Sequence, residues 1–495
     1  MSTGRRIAKN AGVLMISQLV TWLLTLALTI FLPRYLGAVA VGKLNLAHSL
    51  WAIAAIVIAF GLDTFLTKEI ARQPERTSEL LGNTLVLRAG LYVIAFALMI
   101  GYGQLAGYPA ETALVIVIVG VATLFWQSIG AVQAALQGLE QMQYMTVGNI
   151  AGKAVNTVLG IALLLMGQSV YVIAGVSTLA ALTSLGLQLY FLNKLYRVRL
   201  TFNRREAARL LRAGLPYLMS GVFLVVYMQV DIVIISWLVD ERTIGWYGAA
   251  DQLFGTLLFI PTVFMAAIFP TLSRLYAAGA DNLSRLMRKS FDLLLVLSIP
   301  IGLGVLVVAD PLVVLLFGPD FAGSGPILAL LGIVLILTYQ NMLIGQFLIS
   351  IDRQNVWTVV MAIATVATIP IDLVAIPWCL AQFGNGAIGG AISFIVTELG
   401  MLLIGLKLLP KGSLGRSNIV TALKAVLAGG LMVAATWWAR PYFIGLPIAI
   451  GMVVYTAAVL LLRVVPKDDL ELFKSMALNV IARFRRQPVA KESQS

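Results

Sequence analysis

A single cysteine, Cys379, and a single histidine, His48, are all that 495 residues contain of the two side chains that most often hold transition metals. One cysteine excludes an internal disulfide and any cysteine-based metal site, and one histidine excludes a histidine cluster. Charge is scarce as well: Asp, Glu, Lys and Arg make up 12% of the chain, against about 25% in soluble domains. Hydrophobic residues reach 60%, and a soluble fold is untenable. Long polar loops are missing too. With them goes the large external loop, bearing paired acids or His and Arg, that a membrane glycosyltransferase or glycan polymerase would carry.

What is there is a ladder of apolar stretches. About 20 apolar residues at 1.5 Å rise cross a hydrocarbon core of about 30 Å. The stretches that qualify are 10–33, 41–65, 81–103, 112–136, 146–166, 169–192, 214–238, 244–270, 288–309, 325–349, 355–377, 386–406, 419–438 and 442–463. This predicts an all-α integral membrane protein with fourteen transmembrane helices. Of the 35 Lys and Arg, only Arg34, Lys43, Arg242 and Arg440 fall in the outer gaps, and Arg88 and Lys153 fall inside spans. All others sit in the alternate gaps or at the two ends. The positive-inside rule then predicts a multi-pass protein of the cell (cytoplasmic) membrane with both termini in the cytoplasm. The net charge of +13 finds its partner in anionic lipid headgroups, so no nucleic-acid partner is expected. The first run is too long for a signal-peptide core and is expected to stay as an anchor. The pair Arg5-Arg6 serves as orientation charge.

Two nucleotide motifs fail on context. Gly37 to Leu44 spells a P-loop up to its last position, where Leu44 replaces the hydroxyl that would bind magnesium, and no strand precedes it. Gly384-Asn385-Gly386-Ala387-Ile388-Gly389 spells a dinucleotide fingerprint but leads into a membrane helix. Its glycines suit a tight turn and close helix packing. Asp310 and Asp320, around Pro311 and Gly318, read as helix caps beside a turn. No catalytic constellation emerges, and neither an enzyme, a cofactor nor a metal site is expected.

An offset of 203 residues lays Gly42, Ala47 and Leu50 on Gly245, Ala250 and Leu253. Both segments run long helix, short outer turn, second helix, polar loop. The expected division is therefore an N-terminal six-helix bundle (1–192), a cytoplasmic linker (193–213), a pseudo-symmetric C-terminal six-helix bundle (214–410), two extra helices (411–465) and a tail (466–495). In the tail, Phe473, Met476, Val480, Ile481 and Phe484 share a helical face with Arg483, Arg485 and Arg486 nearby, the pattern of an interfacial amphipathic helix.

The local wording resembles a known family on residues 5–465. The matching stretches are Leu36-Gly37 through Gly42, Phe60-Gly61-Leu62 with Lys68-Glu69-Ile70-Ala71-Arg72, and Leu136-Gln137-Gly138-Leu139-Glu140. They continue with Asp231 to Ile235, Gly245, Tyr247 and Ala249, Pro311 with Leu316-Phe317-Gly318, and Gly389-Gly390-Ala391-Ile392 with Glu398. Order and spacing make the chain similar to the polysaccharide-unit (Wzx-type) flippases of the multidrug/oligosaccharidyl-lipid/polysaccharide exporter superfamily. The resemblance implies a two-lobed, V-shaped carrier. Its substrate would be an undecaprenyl-diphosphate-linked oligosaccharide, moved from the cytoplasmic to the outer leaflet by alternating access. It also implies contact with membrane lipids, coupling to Na+ or H+, and association with a glycan polymerase or glycosyltransferases. Alternatives within the superfamily are a lipid II flippase or a multidrug or cation antiporter. The first span, however, lacks both the acidic ion site of such antiporters and the basic residues associated with lipid II flippases.

Such a substrate needs cations and hydrogen-bond donors in a wet cavity, and ionisable groups within spans are costly unless they face one. Arg88 and Lys153 are the leading substrate-binding candidates; each either lines the cavity or snorkels to headgroups. Arg34 and Lys43 flank the first outer turn, where they meet either the diphosphate or outer headgroups. Gln127 and Asn156, with Gln18, Asn45, Gln133, Gln137 and Gln252, either contact sugar hydroxyls or join helices. Asp231, Asp251 and Glu398 lie deep enough to bind a coupling ion or to make buried hydrogen bonds. His48, one repeat away from Asp251, is either a proton switch or a packing histidine.

Overall fold

The computed structural model describes residues 3–278 and 282–464. Among them every regular element is helical, as a hydrocarbon solvent demands: only a helix satisfies its own backbone polar groups within one segment. The helices are α1 (Thr3–Ala59), α2 (Leu62–Arg72), α3 (Thr77–Leu105), α4 (Ala110–Gly138), α5 (Met142–Leu165), α6 (Val170–Leu195), α7 (Arg204–Leu238), α8 (Glu241–Leu257), α9 (Phe259–Ala277), α10 (Asn282–Phe317), α11 (Ser324–Ser350), α12 (Gln354–Phe383), α13 (Ala387–Leu408), α14 (Arg416–Trp437) and α15 (Gly445–Leu461). Eleven helical stretches are long and apolar enough to cross a membrane, with Val20–Arg72 counted as one of 53 residues; Val225–Leu238 and Gly445–Leu461 are shorter apolar helices. Large apolar side chains such as Leu105, Val374 and Leu461 are exposed on the outside, a surface suited to lipid rather than water. The tail face expected after 466 lies outside the described residues.

Where a loop was expected between 33 and 41, α1 runs on with a break at Gly37 alone (φ 78°, ψ 168°), a setting open to glycine and strained for other residues. The next break falls at Phe60 and Gly61, both left-handed (φ 49° and 66°), inside the expected span 41–65. A methyl group on Gly61 would meet Tyr217, Gly214 and Leu218 of α7, so this break marks a helix crossing. The stretch expected as one span at 244–270 divides at Leu258 into α8 and α9.

In the first part of the chain α1 packs on α4 and α5, α6 on α4 and α5, and α2 on α4. Later, α10 packs on α11, α11 on α8 and α13, and α12 on α7 and α13, while α14 and α15 pair and lie on α10. Between these sets α1 crosses α7 and α8. At the α1–α8 crossing, a methyl on Gly42 would overlap the carbonyl oxygen of Glu241, and one on Gly245 would overlap that of Ala38. Each glycine thus seats the carbonyl four residues before the other, and both pairs are one repeat length apart.

The helix ends that carry Lys68, Arg72, Arg76 and the 193–205 stretch form a basic end. There the segment expected as a linker is held on the first part of the chain. Ser78 donates to the Arg197 carbonyl at 2.6 Å and the Asn203 N–H donates to Asn83 at 2.7 Å. Arg76 pairs with Glu206 at 3.2 Å and Arg209 with Glu69 at 3.3 Å. Leu210, already within α7, is fully buried with Leu62, Leu66, Leu80, Leu136 and Leu192.

Candidate functional site

The α1 break at Gly37 folds Thr25 and Thr29 back toward His48, and α5 and α6 close the space between them. The resulting cavity, about 230 Å³, is lined by those three residues, by Lys153 and Asn156 of α5, by Ser177 of α6 and by Gln252 of α8. Lys153 and Asn156 are three residues apart and so share a helix face. Gly160, one turn further, lets Leu28 of α1 approach, and Thr157 donates to the Leu24 carbonyl at 3.1 Å, fixing α5 against α1. His48 keeps exposed surface and lines this cavity.

Among the described residues Lys153 has no carboxylate partner. An unanswered ammonium at membrane depth is costly, so the cavity is built for water or for an anion. Lys153 supplies charge, and His48, Asn156 and Gln252 supply hydrogen-bonding groups. The fold therefore gathers Lys153, Asn156, His48 and Gln252, four of the residues singled out from the sequence.

The other predicted cations are answered by protein. Arg88 is 2% exposed; its guanidinium meets Asp63 at 2.7 Å and the carbonyls of Gln127 and Ala59 at 2.6 and 3.3 Å. Gln127 enters through its main chain. Lys43 meets Glu111 at 2.5 Å and Glu241 at 3.8 Å, and Thr112 donates to the same Glu241. Arg34 donates to the Leu315 carbonyl at 3.2 Å.

These contacts belong to a latch at the end opposite the basic one. There Asp320 accepts from the Ala38 N–H at 2.7 Å, just past the Gly37 break, and faces Arg242 at 3.6 Å. Asp320 thus caps a helix remote in sequence rather than its own turn. Asp310, also expected as a cap, pairs with Arg440 at 2.8 Å. Tyr108, between α3 and α4, bonds Ser236 of α7 at 2.8 Å, and burial raises its phenol above the usual range.

The predicted acids gather elsewhere. Asp231 of α7 accepts from Tyr247 at 3.3 Å and lies against Asp372 of α12, with Asp251 of α8 nearby. Asp372 is fully buried, facing Asp231 and Ser393, with no well-formed hydrogen bond to either oxygen. Two carboxyl groups side by side in a medium that repels bare charge call for a proton or a cation. Glu398 accepts from Tyr227 at 3.0 Å and from Asn341 at 2.6 Å. Among the described residues no cluster of three His, Cys, Asp or Glu side chains has metal-holding geometry.

Two of these acids, Asp63 and Asp372, were missed by the sequence reading. The signal was available: each is a charge inside an expected span, the criterion that selected Arg88 and Lys153.

Residues 7–276 match the polysaccharide biosynthesis protein family, and residues 151–457 match the lipid II flippase MurJ family. A probable low-salt glycan biosynthesis flippase, Agl15 of Haloferax volcanii, is 24% identical over 447 residues, covering 87% of this chain and 91% of that relative. The succinoglycan biosynthesis transport protein ExoT of Rhizobium meliloti is 23% identical over 337 residues, 66% of each chain. The fold matches a lipid II flippase MurJ in an inward closed conformation, with a TM-score of 0.71 at 14% identity, over 92% of this chain and 99% of that one. It also matches an inward-facing multidrug resistance MATE family transporter, with a TM-score of 0.64 at 16% identity, over 78% and 94%. The solved neighbours share the helical fold described above, and the family match covers more than half of the chain: the chain belongs to the polysaccharide biosynthesis protein family, flippases of the multidrug/oligosaccharidyl-lipid/polysaccharide exporter superfamily.

Proposed function

We propose that this protein carries a polyprenyl-diphosphate-linked oligosaccharide from the cytoplasmic to the outer leaflet of the cell membrane, with Lys153 holding the diphosphate. The observation that carries this reading is the Lys153 ammonium, without a carboxylate partner among the described residues, in a cavity with His48, Asn156 and Gln252. In this reading the chain crosses the membrane fourteen times, α1 twice about its Gly37 break and α8 with α9 once. The basic end lies in the cytoplasm with both termini. Two six-helix bundles, related by the 203-residue repeat, meet at the Gly42–Gly245 crossing, with α14 and α15 added outside.

The latch of Lys43, Glu111, Glu241, Arg242 and Asp320 closes the outer face, so Arg34 and Lys43 serve the gate in this state. Alternating access requires that gate to open as the cytoplasmic side closes. The Asp231–Asp372 pair, with Asp251 beside it, takes the coupling H+ or Na+, and binding there changes the charge between α7, α8 and α12.

A proteoliposome assay that reads the accessibility of lipid-linked oligosaccharide on each face tests this. Lys153→Ala should lower flipping by about 10- to 100-fold, and Lys153→Arg should restore part of it; normal rates in Lys153→Ala would overturn the assignment. A second reading, transport of lipid II, draws on the match of residues 151–457 to the lipid II flippase family. Lipid II in the same vesicles decides between them.

A further inference from the structure

We propose that a second polar cavity, at the cytoplasmic end of the first bundle, is a recognition site for the sugar headgroup, separate from the diphosphate cavity. This rests on the transport reading above and adds the part of the substrate that sets specificity. The cavity holds about 490 Å³, within the roughly 300–1,000 Å³ of small-molecule sites. Its polar lining is Asp63, Thr64, Thr67 and Lys68 of α1's continuation α2, and Gln133 and Gln137 of α4.

The lining suits a neutral polyol. The two carboxamides and two hydroxyls both donate and accept, as sugar hydroxyls do. Asp63 is balanced by Arg88 and offers an acceptor, and Lys68 adds a donor. Asp63 is also held in place. Arg88, almost wholly enclosed, fixes its Oδ1 at 2.7 Å, while the Asp63 side chain keeps 46% of its surface open. Gly130 of α4 lies over this pair, and a methyl there would come within 3.2 Å of the guanidinium. The buried arginine thus presents a rigid acceptor to the cavity, the preorganised arrangement that favours specific hydrogen bonding.

A polar path joins the two cavities. Gln133 donates to Asn149 of α5 at 2.6 Å, and Lys153 stands one helical turn above Asn149 on the same face. A diphosphate on Lys153 and sugars at Gln133 and Gln137 therefore lie along one strip of α5 and α4. Sugars lost from the substrate, or altered at the hydroxyls that meet this lining, should weaken binding without touching the diphosphate contact.

The test measures binding to the full chain in lipid nanodiscs, with farnesyl diphosphate as the bare probe. The glycosylated probes are farnesyl diphosphates carrying one to three sugars, headed in turn by glucose, galactose and their N-acetylamino forms. Wild type should bind at least one glycosylated probe about tenfold more tightly than the bare one. Gln137→Ala and Asp63→Asn should each remove most of that gain and leave bare-probe affinity unchanged. Asp63→Asn keeps an oxygen for Arg88 but removes its countercharge, so the thermal stability of this variant is measured alongside. Gln137, exposed and with an unbonded side chain, is free of folding duties. Lys153→Ala should weaken bare and glycosylated probes in parallel. No sugar-dependent gain in wild type, or a gain that survives both vestibule variants, overturns the sugar site. Bare-probe binding that ignores Lys153→Ala overturns the diphosphate assignment instead, so the two failures are distinguishable.

Discussion

Lys43 and Lys153 carry the same ammonium into the same part of the fold and meet opposite fates. Lys43, 7% exposed, lies between Glu111 of α4 and Glu241 of α8; Lys153 opens on a cavity and meets no carboxylate among the described residues. A charge answered by protein is part of the architecture. One left open asks for a ligand, because desolvating an ion without a partner is unfavourable. Arg88 extends the contrast: like Lys43 it is answered by a carboxylate, that of Asp63.

The comparison can be broken most decisively at Lys153. Its alanine variant should lower flipping by about 10- to 100-fold, the weight of one charge-assisted bond to phosphate, with normal thermal stability. Next comes the acid pair: Asp372→Asn should remove the dependence of flipping on the ion gradient and slow transport about tenfold, read by collapsing each gradient in turn. Gly42→Val should then prevent the α1–α8 approach and lower the melting temperature or trap an outward-open state, since its side chain would overlap the Glu241 carbonyl. The smallest change is expected at Lys43. In a Cys379→Ser background, Asn45→Cys lies behind the crossing against Gly248. Adding Lys43→Met should raise its labelling by an impermeant maleimide about threefold, while flipping persists at a reduced rate. Unchanged labelling would mean the latch does not hold the outer face.

Several particulars were legible in the sequence and several were not. The 203-residue offset singled out Gly42 and Gly245, and these two residues form the crossing, where each leaves room for a carbonyl of the other helix. The Gly37 turn was expected as a loop, yet one left-handed residue suffices, since a bilayer favours keeping both flanking segments helical. The expected linker 193–213 is held by side chains from α2 and α3; nothing local announces that Glu69 will take up Arg209 or that Arg76 will take up Glu206. Arg88 was indistinguishable from Lys153 by depth alone.

The sequence by itself determined that the chain is a stack of apolar helices, where those helices run, and which few ionisable residues lie within them. These follow from local hydropathy and from the need of every backbone polar group for a partner inside its own helix. Only the tertiary structure decided which of those charges are answered. Asp63 reaches Arg88 across 25 residues, Glu111 reaches Lys43 across 68 and Asp320 reaches Ala38 across 282. Whether a charge is structural or waits for a ligand is a property of such contacts, which packing creates and no single segment contains.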